Sequence, residues 1–183
     1  MGKEEFVQRL DSIFIISQDK IFSGGKTINA FAGLQTYYNQ GNQPCLHISW
    51  LFNQAGRYDL TQKWVRAILD EFYGTDGIHG YGYGQDEDQG QLGAWYVISS
   101  LGMFDVKGLA DVDPVFSLGS TLNKDYYPGD TFVIEAHNND KQHVYVKDYV
   151  WNGKELTSPE IRFKDVVSGG QLSVEMSDQP VVK

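Results

Sequence analysis

Residues 91–101, which read QLGAWYVISSL, decide the fold class because the apolar spacing of the chain changes where they end. The stretch is apolar nearly all round, which is typical of a buried helix, and Gly102 follows it. Before Gly102 the spacing is helical, whereas after it β-branched and aromatic residues partly alternate with polar ones. The sequence therefore predicts an α+β protein in which helices precede strands.

The region before this change, residues 1–104, carries apolar residues at three- and four-residue intervals. The pattern predicts one amphipathic helix over residues 6–14 and another over residues 64–72. A shorter helix is predicted between them, over residues 47–55, and Gly56 is expected to end it. We therefore expect residues 1–104 to form a helical unit.

The region after the change, residues 105–183, is predicted to consist mostly of strands. The segments TFVIEA at 131–136, VYVKDYVW at 144–151 and QLSVEM at 171–176 alternate in part between apolar and polar residues. Asn152 and Gly153 form a strong hairpin signal. We expect a small antiparallel sheet or sandwich unit here.

Composition excludes several classes of partner. The chain has 15 Lys and Arg against 24 Asp and Glu, a net charge of −9, and so acidic a protein repels nucleic acid. No run approaches the roughly 20 apolar residues that a spanning helix needs, so we expect no membrane partner either. Cys45 is the single cysteine, which excludes an internal disulfide and a metal site built from thiolates.

A long glycine-rich stretch lies between two of the predicted helices. Residues 74–90 read GTDGIHGYGYGQDEDQG, and loops of this length inside compact domains are usually functional or disordered. Aromatic rings pack on sugar faces, and carboxylates exchange protons and bind hydroxyls, so this composition suits a carbohydrate site. The stretch holds His79, Tyr81 and Tyr83 together with the acidic residues Asp86, Glu87 and Asp88.

The acidic residues also have a purely structural explanation. Asp88 falls at the N-cap of a helix that would start near Gln89, where backbone amides and the helix dipole favour an acid. A calcium loop of the helix-loop-helix type does not fit, because the glycine and closing glutamate are not at the required offsets. Hydrolysis with inversion needs a second acid about 6.5–9.5 Å from the first. The catalytic and capping explanations both stay open.

A second polar stretch, GNQPCLH at residues 41–47, runs into the predicted short helix. Gly41, Asn42 and Pro44 predict a turn, and His47 lies in the first helical turn. Taken alone, a histidine in this position is more often a hydrogen-bonded structural residue than a ligand.

Both polar stretches resemble motifs of one enzyme family. GNQPCLHISWLFNQAG at 41–56 resembles the Gly-Asn-Glu/Gln-Pro segment, with its following His and Asn-x-Ala-Gly, of the calcium-dependent α-mannosidases of glycoside hydrolase family 92. YGQDEDQGQLGAWYVISSL at 83–101 resembles that family's Gly-Asp-Glu-Asp-Asn-Gly-Gln and Ala-Trp-Tyr-Val signature. VWNGK at 150–154 and GGQLSVEM at 169–176 resemble its terminal strands. The resemblance covers nearly the whole chain and is weakest at 105–127.

The resemblance implies an exo-acting enzyme that removes terminal α-linked mannose, of the α-1,2 type, from glycans with inversion. It implies a bound Ca²⁺ that grips vicinal hydroxyls of the sugar, and a secreted or periplasmic location. Asp86 and Asp88 match the aspartates that activate water. Asn42, Gln43 and His47 match the segment that lines the mannose site, and the metal ligands stay open with Asn42 and Gln43 as candidates.

The general acid of the family lies in a Glu-Gly-Asn-x-Trp-Gln motif that this chain does not contain. The resemblance therefore implies a C-terminal portion of a longer enzyme, whose missing N-terminal region would be a partner. Residues 1–104 would be the last helices of an (α/α)6 toroid, and residues 105–183 a C-terminal β-rich unit. We expect the chain alone to release little or no mannose. A non-catalytic carbohydrate-binding module on the same scaffold is the alternative.

Overall fold

The computed structural model describes residues 1–24, 37–74, 90–106, 115–121, 125–126 and 132–182. Helices precede strands in it, as the change of spacing after residue 101 predicts, and the α+β class is confirmed. The helices are α1 (Lys3–Gln18), α2 (Leu51–Gln54), α3 (Tyr58–Glu71), α4 (Gln91–Ser100) and α5 (Phe163–Val167), with 3₁₀ turns at Ile21–Ser23, Gln43–Cys45 and Ile48–Trp50. The strands are β1 (Met103–Phe104), β2 (Val115–Leu118), β3 (Asp125–Tyr126), β4 (Phe132–His137), β5 (Tyr145–Trp151), β6 (Lys154–Glu155), β7 (Glu160–Arg162) and β8 (Gly170–Ser177).

The helices share an apolar core that is rich in aromatic rings. The ring of Phe14 on α1 lies 4.6 Å from that of Tyr38 and 5.6 Å from that of Trp64 on α3. Burying an aromatic side chain contributes about 2–3 kcal/mol, so α1 and α3 are stabilised mainly through these contacts. The short helix predicted before Gly56 is also present, as a 3₁₀ turn that continues into α2, and Gly56 ends it with a φ of +66°. Among the described helices, none is long and apolar enough to cross a membrane.

Helix α4 lies where it was predicted, but it is not buried all round. Leu92 and Trp95 face the core, whereas Tyr96 and Val97 are 38% and 57% exposed. The N-cap of α4 is Gly90, with a φ of 80° and no side-chain cap. The helix therefore begins two residues later than predicted, with Gly90 and not Asp88 as its N-cap residue. Asp88 itself lies outside the described residues. Apolar side chains on every face of a helix did not reveal which face meets the core.

The described strands form two sheets. One has the order β1-β2-β7 and is antiparallel, and the other has the order β3-β4-β8-β5-β6. Within the larger sheet β4 and β8 run parallel, and the remaining pairs are antiparallel. Asn152 and Gly153, both with positive φ, join β5 to β6 as the hairpin signal predicted. The parallel pair, the short three-stranded sheet and α5 were not predicted. The unit boundary at residue 104 and the toroid stay predictions.

Among the described residues, Gln62 on α3 is one of two buried polar side chains whose hydrogen bonds join this helix to the strand region. It is 3% exposed. Its Oε1 accepts a hydrogen bond from the backbone N–H of Val146 at 3.0 Å, and its Nε2 donates to the Tyr149 hydroxyl at 3.3 Å. The Tyr149 hydroxyl then donates to the carbonyl oxygen of Gly119 at 3.2 Å. These directional bonds set the position of β5 on α3.

Arg66 is the second of these side chains, and its guanidinium is buried. It donates to the carbonyl oxygens of Thr121 at 2.7 Å and Asp140 at 3.1 Å, and to the Ser120 hydroxyl at 3.2 Å. Burial lowers the pKa of Arg66 from its ordinary value, and the carboxylate of Asp70, 3.6 Å from Nε, opposes that shift. A buried cation is tolerated only when acceptors surround it, so these segments must arrive together.

We expect Arg66→Met to lower the free energy of unfolding by about 2–4 kcal/mol, because the buried carbonyl oxygens of Thr121 and Asp140 lose their donor. Urea titration followed by circular dichroism measures the change. The matched control is Arg9→Met, since Arg9 is exposed on α1; its effect should stay within about 0.5 kcal/mol. Equal effects of the two substitutions would contradict a bridging role for Arg66.

Candidate functional site

The polar stretch at residues 41–47 forms a compact double turn. The side-chain Oδ1 of Asn39 accepts a hydrogen bond from the N–H of Gly41 at 2.9 Å, which starts the turn. The backbone N–H of Cys45 then donates to the carbonyl oxygen of Asn42 at 2.8 Å, and Pro44 lies inside the resulting 3₁₀ turn. A proline fits this position because its fixed φ suits the first residues of a helical turn. The local sequence thus determines the shape of the turn.

The turn leaves two of its three predicted site residues exposed. Asn42 and His47 are exposed and Gln43 is half-buried. The Asn42 amide and the His47 ring have no hydrogen-bond partner among the residues that the structure describes. The hydrogen-bonded structural role considered for His47 therefore has no support in the described contacts. Both side chains are available to a polar ligand.

A chain of buried hydrogen bonds supports the turn on the side that faces the core. The hydroxyl of Tyr38 donates to Oε1 of Gln40, whose Nε2 donates to the Tyr73 hydroxyl at 2.9 Å. The Tyr73 hydroxyl donates to the carbonyl oxygen of Leu92, in the first turn of α4, at 3.2 Å. Gln40 is fully buried and Tyr73 is 8% exposed. Hydrogen bonds thus connect the backbone just before Asn42 to the start of α4.

A second connection runs through aromatic rings. The ring of Tyr73 stacks on Trp95 of α4, with centroids 5.8 Å apart and planes 10° apart. The indole N–H of Trp95 donates to the carbonyl oxygen of Leu46 at 2.8 Å. The turn is therefore fixed to α4 at both of its ends, once through Gln40 and once through Leu46.

Asp86 and Asp88, the predicted catalytic residues, lie outside the described residues, so their role stays a prediction. Asp88 is two residues before Gly90 in the sequence, and Gly90 is the N-cap residue of α4. The first turn of α4 accepts a hydrogen bond from the Tyr73 hydroxyl. The backbone following the acidic residues and the turn with Asn42, Gln43 and His47 therefore share one support. The structure brings the three described site residues together in one segment.

No pattern in the sequence predicted the hydrogen bonds and ring contacts that support the turn. Gln40, Tyr73 and Trp95 are aromatic or amide side chains beside predicted helices, and such residues usually belong to a core. The available signal was position, because Gln40 directly precedes the polar stretch and Tyr73 directly precedes the glycine-rich one. That signal does not show where a hydroxyl points.

Burial also determines the protonation state of Tyr38, the first residue of this hydrogen-bond chain. Loss of hydration raises the pKa of the Tyr38 hydroxyl well above its ordinary value, and the neighbouring Cys45 and Tyr73 raise it further. Tyr38 is therefore a neutral phenol that donates to Gln40. The direction of the hydrogen bonds from Tyr38 to Leu92 follows from that protonation state.

In the double turn, the side chains whose oxygen atoms could ligate Ca²⁺ are the amides of Asn42 and Gln43. Ca²⁺ prefers 6–8 oxygen ligands, and the exposed Asn42 amide fits that preference. Within the described ranges, no three His, Cys, Asp or Glu side chains are grouped so that they could hold a metal ion. Asn42 and Gln43 thus fit as part of a calcium site that needs carboxylates from elsewhere.

Comparisons with known proteins agree on one family. The family model described as "Glycosyl hydrolase family 92 catalytic domain" matches residues 1–178. The family GH92 alpha-mannosidase BT3965 from Bacteroides thetaiotaomicron is a similar solved structure, with 28% identity and a TM-score of 0.78 over 100% of this chain. Its complex with mannoimidazole gives 26% identity and a TM-score of 0.75 over 99% of this chain.

A second enzyme of that organism is similar as well. The family GH92 inverting mannosidase BT2199 from Bacteroides thetaiotaomicron has 31% identity and a TM-score of 0.75 over 98% of this chain. This chain spans 23% of the length of the first enzyme and 25% of the length of the second. Comparison with curated proteins gives no match.

The buried phenol of Tyr38 leads to a prediction about alkaline stability. Above about pH 10 an unfolded tyrosine ionises, whereas the raised pKa keeps folded Tyr38 neutral. The unfolded state then binds fewer protons, so the stabilising contribution present below about pH 10 is lost as pH rises. Thermal unfolding between about pH 8 and pH 11 should show this fall.

Tyr38→Phe should reduce the steepness of the fall, whatever it does to stability at neutral pH. Tyr37→Phe is the control, since Tyr37 is 74% exposed; it should leave the slope unchanged. An unchanged slope in Tyr38→Phe would contradict a neutral, buried Tyr38.

Proposed function

Because the chain belongs to glycoside hydrolase family 92, we propose that it supplies the water-activating part of an inverting exo-α-mannosidase active site. The substrate is a glycan with terminal mannose, of the α-1,2 type. The similar structures support this proposal, since they include an α-mannosidase in complex with mannoimidazole and an inverting mannosidase. The observation that carries it is the double turn. Its Asn42 and His47 side chains have no hydrogen-bond partner within the described ranges, and they lie on the same support as the start of α4.

In the proposed mechanism the two predicted aspartates act on water. A carboxylate of Asp86 or Asp88 accepts a proton from a water molecule, whose oxygen attacks the anomeric carbon from the face opposite the leaving oxygen. Asn42 and His47 hydrogen-bond to sugar hydroxyls and hold that carbon in line with the water. Water attack on that face inverts the anomeric configuration.

The leaving oxygen requires a proton from a different group. An inverting enzyme uses a second carboxylic acid for this step, placed about 6.5–9.5 Å from the base. The chain contains no Glu-Gly-Asn-x-Trp-Gln stretch to match the family's acid. In this proposal the acid belongs to protein outside these 183 residues.

Calcium is the cofactor that we propose for this site. The amide oxygens of Asn42 and Gln43 would contribute to its ligands, together with carboxylates outside the described residues. When bound, the ion supplies an electrostatic grip on two adjacent hydroxyls of mannose. The Asn42 side chain is exposed, so its amide can turn toward a bound ion. The flexible coordination geometry of Ca²⁺ suits such a ligand.

A carbohydrate-binding module without catalysis is the second candidate function. The exposed side chains of Asn42 and His47, to which the described part of the chain supplies no hydrogen-bond partner, favour it, because a sugar-binding surface needs polar groups and no general acid. The two functions differ in whether water attack occurs once mannose is bound.

An activated substrate separates the two functions. The expected lack of mannose release applies to glycans, whose leaving oxygen needs a proton from the absent acid, so the purified chain should leave α-1,2-mannobiose intact. Fluoride leaves without needing a proton, so the chain should hydrolyse α-mannosyl fluoride to β-mannose. Asp86→Asn and Asp88→Asn remove candidate bases, and loss of the essential one should slow the reaction about 10²–10⁴-fold. Asp178→Asn, an exposed Asp in the last described segment, is the control. Fluoride release with an electrode and product anomer by NMR are the measurements.

Each other result of this assay has its own meaning. Binding of mannose without fluoride hydrolysis would identify a binding module. Hydrolysis that survives both single substitutions and the double one would contradict the role of the aspartates. Release of mannose from mannobiose would contradict an acid located outside the chain.

Calcium binding can be tested on the same protein. Titration calorimetry should show binding of Ca²⁺ to the chain, and Asn42→Leu or Gln43→Leu should weaken it about tenfold, because each removes one oxygen ligand. Gln54→Leu is the control, since Gln54 is exposed at the end of α2. An unchanged affinity in both turn variants would exclude these two residues as ligands.

A further inference from the structure

We propose that the hydroxyl of Tyr73 is a positioning group of the candidate active site, which sets the distance between the sugar-binding turn and the start of α4. This inference rests on the proposed function, because it assigns the two segments to one site. Tyr73 belongs to neither segment, since it directly follows the C-cap of α3. Its hydroxyl acts through its neighbours and has no part in the chemistry itself.

The hydrogen bonds of this hydroxyl are the first argument. It accepts from Nε2 of Gln40 at 2.9 Å and donates to the carbonyl oxygen of Leu92 at 3.2 Å. Gln40 is two residues before Asn42, and Leu92 is four residues after Asp88. Among the described hydrogen bonds, this one hydroxyl therefore connects the residue before the double turn to the first turn of α4.

Burial makes this link rigid. Gln40 is fully buried, and its Oε1 is held by the Tyr38 hydroxyl, so its amide has one orientation in which both groups are paired. Buried donors and acceptors left unpaired cost about 1–3 kcal/mol each. A turn that shifted away from α4 would break this pairing, so the network opposes such a shift.

The aromatic ring of Tyr73 has a separate role. It stacks on Trp95, whose indole N–H donates to the carbonyl oxygen of Leu46. Removing the hydroxyl alone leaves this stacking in place and breaks only the connection through Gln40. Displacements of about 1 Å in a catalytic site can cost about 10²-fold in rate, so the hydroxyl should affect function more than its stability contribution suggests.

The chain contains a matched copy of this arrangement away from the site. The Tyr149 hydroxyl accepts from Nε2 of Gln62 at 3.3 Å and donates to the carbonyl oxygen of Gly119 at 3.2 Å. Tyr149 and Tyr73 are each 8% exposed. Tyr149 joins β5 to α3 and has no contact with the double turn among the described hydrogen bonds. Tyr149→Phe therefore makes the same chemical change with a purely structural consequence.

The experiment compares Tyr73→Phe with Tyr149→Phe in the full chain. Both should lower the midpoint of thermal unfolding by similar amounts. Only Tyr73→Phe should weaken binding of mannoimidazole, by about tenfold or more in titration calorimetry, while Tyr149→Phe stays within about twofold of the unsubstituted chain. Equal affinities in the two variants would overturn the inference.

A second measurement keeps this inference distinct from the proposed function. Amide hydrogen exchange should become faster in residues 42–47 and 91–92 of Tyr73→Phe, and in neither segment of Tyr149→Phe. If the unsubstituted chain does not bind mannoimidazole, the proposed function fails, and exchange still decides whether the hydroxyl links the segments. Unchanged exchange in Tyr73→Phe would refute the link.

Discussion

The burial of the Arg66 guanidinium is the constraint on which the rest of the structure depends. A cation withdrawn from water must be surrounded by acceptors, and here they are carbonyl oxygens of Thr121 and Asp140. Those carbonyls lie in segments that flank the strands, so α3 cannot be fully buried until the strands have reached their places. Gln62, one helical turn before Arg66, imposes the same requirement through β5. Helix α3 thereby determines where the sheets lie, and the residues after its end determine where the candidate site lies.

The parts of the fold that could be predicted are those determined by residues close together in the sequence. The periodicity around Phe14 and Trp64 predicted α1 and α3, and the Asn152-Gly153 pair predicted its hairpin, because these patterns act between near neighbours in sequence. The parallel pairing of β4 with β8 joins segments far apart in the chain, and no local pattern encodes the choice of partner. The exposure of Val97 was not predicted either, because tertiary packing decides which face of a helix is covered.

The residues of the candidate site also differ in whether they could be predicted from the sequence. Asn42, Gln43 and His47 were found by resemblance of a continuous stretch, which requires no knowledge of the fold. Gln40 and Tyr73 were not found, because the chemistry of a tyrosine hydroxyl depends on which buried atoms surround it. Asp88 shows the reverse case, in which a local rule suggested a helix cap and the structure put Gly90 in that place. The local rule thus misplaced the start of the helix by two residues, because the choice of N-cap also depends on the chain that enters the helix.

The two glutamine–tyrosine–carbonyl arrangements explain how a small protein can hold separate segments in register. Apolar contacts are non-directional, so a helix and a turn packed only through side chains such as Phe72 could slide with little change in energy. A tyrosine hydroxyl that both accepts and donates has narrow angular limits, and burial removes the water that could replace a lost partner. Tyr149 applies this restriction where the sheet meets α3, and Tyr73 applies it where the double turn meets α4. Apolar burial therefore supplies most of the stability, while these buried hydroxyls select one relative position among many of similar packing energy.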